Sequence, residues 1–117
     1  VDGQSRPLNP LIRDEVYRID RSALVDAFRY SGSPTVEMEI QYQDNLKVSV
    51  RDEGRGFNDQ ALVSDPKRRS ALIGMRDQAV EMGAQFQVWS STGAGTEVVL
   101  TVPGHIAFQH EDNPKGL

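Results

Sequence analysis

Residues 52–57 read Asp-Glu-Gly-Arg-Gly-Phe, and the fold can be worked out from this hexapeptide outward. It follows a segment in which apolar and polar residues alternate, so its first carboxylate, Asp52, stands at the end of a predicted strand. Gly54 and Gly56 allow the backbone to approach a flat ligand closely while the carboxylate accepts a hydrogen bond from that ligand. The same residues also suit an ordinary turn after a strand, and the hexapeptide alone does not separate these interpretations.

Two common phosphate-binding motifs are absent from the sequence. Asp59 stands where a dinucleotide-binding fingerprint needs its third glycine, and no Gly-Lys-Ser or Gly-Lys-Thr of a Walker loop occurs. The function of the hexapeptide therefore depends on what surrounds it in the chain.

Alternating apolar and polar residues on both sides of the hexapeptide predict two hairpins. Residues 36–42 and 46–50 alternate on either side of a turn at 43–45. Residues 85–89 and 98–102 alternate in the same way around the Gly-rich turn at 91–95. Each strand then has one wet face, which is typical of an antiparallel sheet that is covered on one side only.

Apolar residues that recur every three or four positions predict two helices. The first runs from Leu11 to about Ser31, after the start signal Asn9-Pro10, and the second runs from about Ala71 to Met82. Residues 58–69 are polar and contain a proline, so we expect a loop there with at most a short helical turn. The order of elements predicts an α+β two-layer sandwich, with the helices on one face of a mixed, mostly antiparallel sheet.

Length and composition favour one domain with one core. Hydrophobic residues make up 38% of the 117 residues and charged residues 26%, which excludes wholesale disorder. We assign residues 1–9 to an N-terminal connection, residues 10–108 to the domain and residues 109–117 to a flexible C-terminal tail. Because the chain begins at Val1 rather than at a methionine, we expect it to be a piece of a longer protein.

Charge and cysteine content exclude several classes of function. Thirteen basic and 17 acidic side chains give a formal net charge of −4, which argues against nucleic acid as a partner and against a polybasic membrane surface. The chain has no cysteine, so it has no disulfide, thiolate nucleophile or Cys-based zinc site. No apolar run approaches the ~20 residues of a membrane span. We expect a soluble, cytoplasmic domain without direct membrane contact, or the cytosolic C-terminal part of a membrane-anchored receptor.

Three further motifs stand in a fixed order with the hexapeptide. Residues 14–25 of the first helix precede it, Ile73-Gly74-Met75-Arg76 opens the second predicted helix, and Gly93-Ala94-Gly95-Thr96 precedes the last strand. From about Pro7 to Phe108 this order and spacing resemble the ATP-binding domain of the GHKL superfamily. The likeness is strongest to sensor histidine kinases that pair with helix-turn-helix response regulators. It implies a Bergerat-type ATP-binding fold, with ATP and Mg²⁺ as ligands.

The resemblance implies an adenine site around the hexapeptide. Asp52 matches the acid that accepts a hydrogen bond from the adenine amino group. Gly54 and Gly56 match the glycines that line the base pocket. Gly95 and Thr96 match the end of the last motif, whose hydroxyl reaches the adenine, usually through water.

The resemblance also implies a phosphate site formed by a lid and a helix start. Gly74 matches a glycine at the beginning of the helix beside the phosphates, where backbone N–H groups can hold an anion. Residues 58–70 would form the flexible lid over the nucleotide.

Five positions depart from the family pattern at the phosphate end. Ser22, Asp26 and Tyr30 stand where the family has an acid or amide, an asparagine and a basic residue. Asp26 is interpreted either as a ligand that gives Mg²⁺ a charged oxygen or as a carboxylate at the pocket edge, satisfied by water or a backbone N–H. Ser22 cannot act as a general base at neutral pH, and Tyr30 carries no positive charge. Arg68 and Ala71 replace lid glycines, and a Cβ there hinders a tight turn around phosphates.

Two functions follow from these matches and departures. The first is the ATP-binding and catalytic domain of a two-component sensor histidine kinase. Its partners would be a dimerisation domain that carries the phosphoacceptor His and a response regulator that receives the phosphoryl group. We expect the fragment alone to be inactive, because it lacks the phosphoacceptor helix. The alternative is a degenerate, non-catalytic module of the same fold that serves protein interaction in signalling.

Overall fold

The computed structural model describes residues 3–33 and 35–109, and these residues form four helices and four strands. In chain order they are α1 (Pro10–Tyr30), β1 (Val36–Tyr42), β2 (Leu46–Asp52), α2 (Asp59–Val63), α3 (Pro66–Glu81), β3 (Gln85–Ser90), β4 (Thr96–Val102) and α4 (Gly104–Ala107).

The four strands form one sheet in the order β1-β2-β4-β3. Both hairpins are present as predicted, and each neighbouring pair is antiparallel. The predicted mixed sheet is therefore wrong for the described strands, since none of their pairings is parallel. The α+β class is confirmed. Hairpins fix the antiparallel direction of β1–β2 and β3–β4, and the helical insertion between them brings β4 back beside β2.

The helices cover one face of the sheet, which confirms the two-layer arrangement. α1 packs on β2 and on α3, while α3 packs on β3. The inward-facing residues of β2 and β4 alternate with outward ones and meet apolar residues of both helices. Together they form the core around Ile19, Val48, Val50, Met75 and Leu100.

The first helix agrees with its prediction, but the second begins five residues earlier than predicted. Asn9 caps α1, since its Oδ1 accepts a hydrogen bond from the Leu11 N–H at 3.0 Å. Asp65 caps α3 in the same manner and accepts from the Arg68 N–H at 3.1 Å, with Pro66 in the first turn. Asp65-Pro66 is the same helix-start signal as Asn9-Pro10, a capping side chain followed by proline, and it marks the true beginning of α3.

The segment predicted as a loop at 58–69 is largely helical. Asn58 caps the short helix α2 by accepting from the Ala61 N–H at 2.7 Å, and α3 follows after a two-residue break. The polar composition of the segment results from its exposure on the surface and not from a lack of regular structure.

The two ends of the described chain are joined to each other. Leu8 forms a bridge with Phe108, the Asn9 N–H donates to the Ala107 carbonyl at 2.8 Å, and the Gln109 N–H donates to the Pro7 carbonyl at 2.9 Å. The last residues of the predicted connection are thus attached to the domain, while Val1, Asp2 and residues 110–117 of the predicted tail lie outside the described residues. No helix in the described part of the chain has the length and apolarity to span a membrane.

Three glycines allow separate segments to touch at the end of β2. A Cβ at Gly54 would lie 2.1 Å from the Ser31 carbonyl oxygen at the end of α1. Gly56 and Gly95 have φ angles of +63° and +79°, and a Cβ on them would lie 2.0 Å from the Ser91 oxygen and 2.2 Å from the Asp52 oxygen. A side chain at any of these positions would push α1, β2 and the β3–β4 turn apart.

We expect Gly54→Ala to lower the free energy of unfolding by about 1–3 kcal/mol, as overpacking does. Gly74→Ala is the matched control, because nothing lies within 4 Å of a Cβ placed there in α3. It should raise stability by about 0.5–1 kcal/mol through better helix propensity. Urea unfolding followed by circular dichroism measures both, and equal stabilities for the two variants would show that the close approach at Gly54 is unimportant.

Asp20 is predicted to make the stability of the domain dependent on pH. Burial raises the pKa of its carboxyl from 3.8 to about 7, so the folded state binds the proton more tightly than the unfolded state does. Stability should therefore fall as the pH rises from about 4 to about 7. Asp20→Asn should remove this slope and add up to about 4 kcal/mol at pH 8. Asp14→Asn, at an exposed carboxylate, should leave the slope unchanged in the same unfolding experiment.

Candidate functional site

Asp52 and Thr96 lie side by side at one end of the sheet. The register of β2 and β4 pairs them directly, and both side chains are buried. Each continues a row of inward-facing apolar residues, so both point towards the helices. Asp52 Oδ1 accepts a hydrogen bond from the Gly54 N–H at 2.8 Å. The two residues to which the motifs assign one ligand are thus neighbours in the fold.

Ser90 belongs to the same row, although the sequence analysis did not single it out. It pairs with Thr96 across β3 and β4, and the two hydroxyl oxygens are 2.7 Å apart. Ser90 Oγ also accepts a hydrogen bond from the Phe57 N–H at 2.8 Å. A polar residue that continues the inward-facing alternation of an apolar strand was the available signal.

Asp26 is engaged by Arg68 in a buried ion pair. Arg68 Nε lies 3.3 Å from each carboxylate oxygen of Asp26, and its Nη2 lies 3.0 Å from Oδ2. The two residues are 6% and 7% exposed. Burial raises the pKa of the Asp26 carboxyl, the hydrogen bond and charge of Arg68 oppose the rise, and the charge of Asp52 adds to it. Asp26 and Asp52 are therefore close enough to influence each other.

The guanidinium of Arg68 contacts two aromatic rings. Its central carbon is 4.5 Å from the ring centroid of Tyr30 and 4.4 Å from that of Phe57. These contacts join α3 to α1 and to the loop after β2, with cation–π attraction to both rings. In the sequence, Arg68, Tyr30 and Asp26 are separate departures from the family pattern. No local pattern links Arg68 to Asp26, because the two residues are 42 positions apart in the chain.

Four of the five positions that depart from the family pattern line one cleft of about 420 Å³ between α1 and α3. Ser22, Asp26, Tyr30 and Ala71 all line it, so the structure brings together residues that the sequence analysis grouped by family pattern. A second cleft, of about 450 Å³, contains Asp52 and Thr96 together with outward-facing residues of the sheet. The residues that the resemblance assigns to the adenine and those that it assigns to the phosphates thus line separate clefts.

Gly74 does not lie at the beginning of a helix, which corrects the prediction. It is the ninth residue of α3, because that helix begins at Pro66. Its N–H therefore lies inside a continuous helix and is not one of the free donors of a helix start. The glycine-based phosphate cradle that the resemblance implies is not formed in this arrangement.

The described side chains do not include a preformed metal cluster. Within residues 3–33 and 35–109, no three or more His, Asp or Glu side chains come together in a way that could hold a metal ion. Asp26 contributes one carboxylate, and both of its oxygens are hydrogen-bonded to Arg68.

We expect the Asp26–Arg68 pair to show strong coupling in a double-mutant cycle. Asp26→Leu or Arg68→Met alone should cost about 3–5 kcal/mol of stability, because each leaves a buried charge without its partner. The double variant should cost clearly less than the two single variants together. Glu15→Gln in the exposed Glu15–Arg18 pair is the control and should change stability by less than about 0.5 kcal/mol. Additive losses in the buried pair would contradict this account.

Comparison with known families matches most of the chain. Residues 12–106 match the sequence profile of the family described as histidine kinase-, DNA gyrase B-, and HSP90-like ATPase. The chain is 33% identical over 94 residues to the sensor protein VraS of Staphylococcus haemolyticus, which covers 79% of this chain and 26% of that protein. It is 32% identical over 103 residues to VraS of Staphylococcus aureus, covering 86% and 28%. The chain therefore spans about a quarter of the length of these curated relatives.

Solved structures confirm the fold. The histidine kinase domain of the blue-light activated histidine kinase EL346 from Erythrobacter litoralis superposes with a TM-score of 0.61 at 19% identity, over 80% of this chain and 45% of that chain. The histidine kinase AdeS of Acinetobacter baumannii superposes with a TM-score of 0.63 at 15% identity, over 78% and 46%. At these identities the likeness is one of fold.

Proposed function

The chain belongs to the family of histidine kinase-, DNA gyrase B- and HSP90-like ATPases, and we propose that it binds ATP for phosphoryl transfer within a longer sensor histidine kinase. Membership of this family makes it an ATP-binding domain. Its proposed partners are a dimerisation domain that carries the phosphoacceptor His and a response regulator with the final acceptor Asp. The domain then works in the cytoplasm, where ATP and the regulator are found, as the cytosolic part of a membrane-anchored receptor.

The observation that carries this proposal is the buried pair of Asp52 and Thr96. One oxygen of Asp52 is held by the Gly54 N–H, and no hydrogen bond to the other oxygen is formed within residues 3–33 and 35–109. That oxygen is the acceptor for the adenine amino group. The Thr96 hydroxyl, fixed by Ser90 at 2.7 Å, lies beside it and serves a ring nitrogen of the base through water.

The glycines serve the base site by keeping it narrow. Gly54, Gly56 and Gly95 hold three segments in contact around Asp52, and in the proposal they line the base pocket. Gly74 has no comparable contact in α3, so a direct role for it at the phosphates depends on unwinding of the first turns of that helix.

Mg²⁺ at Asp26 is a prediction of the resemblance, and the observed arrangement does not fit it. Both carboxylate oxygens of Asp26 are bonded to Arg68, and one carboxylate is a small part of the oxygen shell that the ion requires. When bound, Mg²⁺ neutralises phosphate charge in phosphoryl transfer. The residues of the chain act in binding and orienting the base.

A second candidate function is supported by the ion pair of Asp26 and Arg68. A domain whose phosphate end is closed by Arg68, and which has Ser22 where the family has an acid or amide, can serve as a non-catalytic module for protein contacts. Nucleotide binding separates the two candidates, since the interaction module does not require it.

We expect Asp52→Asn to weaken the binding of a non-hydrolysable ATP analogue by roughly ten- to a hundredfold, because it removes a buried, charge-assisted hydrogen bond. The parent should also prefer the adenine analogue to the guanine one, whose O6 accepts where adenine donates, and this preference should shrink in the variant. Isothermal titration calorimetry measures both, with Asp77→Asn at an exposed carboxylate as the control. Equal affinity of parent and Asp52→Asn would remove Asp52 from the base site, and no binding by the parent would favour the interaction module.

A further inference from the structure

The guanidinium of Arg68 is bonded to the carboxylate of Asp26, where the resemblance implies a divalent cation. It contacts both oxygens of Asp26 at 3.0–3.3 Å, so the negative charge that would attract a metal ion is already neutralised. An asparagine at this position would not need such a partner. An aspartate that is 6% exposed does need one, and Arg68 supplies it from the segment that was predicted to be the lid.

Arg68 is fixed in this position by more than its charge. The ring centroids of Tyr30 and Phe57 lie 4.5 and 4.4 Å from the central carbon of the guanidinium, and Arg68 is 7% exposed. For a metal ion to take Asp26, the guanidinium would have to stay buried without its counter-ion or leave both rings. Breaking a buried pair in this way lowers an equilibrium constant by roughly a hundredfold or more. Mg²⁺ also gives up its water reluctantly.

The cleft next to Asp26 is lined by basic side chains other than Arg68. Arg21, Arg29 and Lys67 line it, and none of them forms an ion pair with another described residue. Because Arg68 neutralises Asp26, no net negative charge from that carboxylate offsets these three cations. Phosphate groups that enter the cleft would meet protein cations, which supply the charge that a bound metal ion would otherwise bring.

We propose that Arg68 excludes the divalent cation from Asp26, so that this domain binds adenine nucleotide without Mg²⁺ and turns its phosphates towards Arg21, Arg29 and Lys67. The inference rests on the proposed function, since it concerns how the nucleotide is held. It departs from the pattern of the family, in which the corresponding asparagine serves the metal.

The first measurement is calorimetric titration of the parent with a non-hydrolysable ATP analogue, once in excess Mg²⁺ and once in EDTA. We expect the two affinities to agree within about twofold. Arg68→Gln, which frees Asp26, should bind at least about tenfold more tightly with Mg²⁺ than without it. A parent that gains tenfold or more from Mg²⁺ would overturn the inference.

The second measurement needs no nucleotide and follows the broadening of amide signals by Mn²⁺ in NMR spectra. In the parent, amides around Asp26 should broaden no more than those around the exposed Asp77. In Arg68→Gln the signals around Asp26 should broaden selectively, and in the double variant Arg68→Gln, Asp26→Asn the effect should disappear. Selective broadening around Asp26 in the parent, or none in a folded Arg68→Gln, would overturn the inference.

The two measurements separate the failure of this inference from the failure of the proposed function. A parent that binds no nucleotide under either condition contradicts ATP binding, while the Mn²⁺ experiment still decides whether Arg68 keeps a divalent cation from Asp26. If Arg68→Gln does not fold, the Mn²⁺ and Mg²⁺ responses of the parent alone give the answer.

Discussion

The contact of three chain segments at the end of β2 is the constraint on which the site depends. Gly54 lies against the end of α1, Gly56 against the β3–β4 turn, and Gly95 against the backbone of Asp52, each at a distance that leaves no room for a Cβ. This contact sets where α1 ends relative to the sheet and keeps Asp52 opposite Thr96. The glycines thus act through packing, and the proposed base pocket depends on that packing.

The two halves of the site have different physical characters. At the base end, a carboxylate and two hydroxyls lie in one row across β2, β4 and β3, with one carboxylate oxygen left for a ligand. In the cleft of α1 and α3, the buried carboxylate is already paired, because Asp26 is bonded to Arg68, whose guanidinium also contacts the rings of Tyr30 and Phe57. One carboxylate oxygen of Asp52 is thus free to accept a hydrogen bond, whereas metal coordination at Asp26 requires the ion pair to open.

Patterns along the chain were sufficient to predict the hairpins and α1, because alternation and helical periodicity depend on residues close in sequence. The resemblance implied that Asp52 and Thr96 serve one ligand, and the register of β2 and β4 places them side by side. The beginning of α3 was predictable too, since Asp65-Pro66 carries the same capping signal as Asn9-Pro10, but the polar composition around it obscured the signal. The ion pair of Asp26 and Arg68 was not predictable. Each residue looked like a separate departure from a family pattern, and only the three-dimensional packing of α3 on α1 shows that one departure compensates the other.

This compensation changes how the altered positions are to be understood. If Asp26 had replaced a neutral residue alone, it would leave a buried charge, and if Arg68 had entered the lid alone, it would need a counter-ion or an exposed position. Together they form a neutral, well-packed pair, so the fold tolerates both. Under the proposal made above, the domain keeps its stability and its base site without a requirement for metal. Binding of the nucleotide and metal-dependent transfer of its phosphoryl group are then separable properties of this domain.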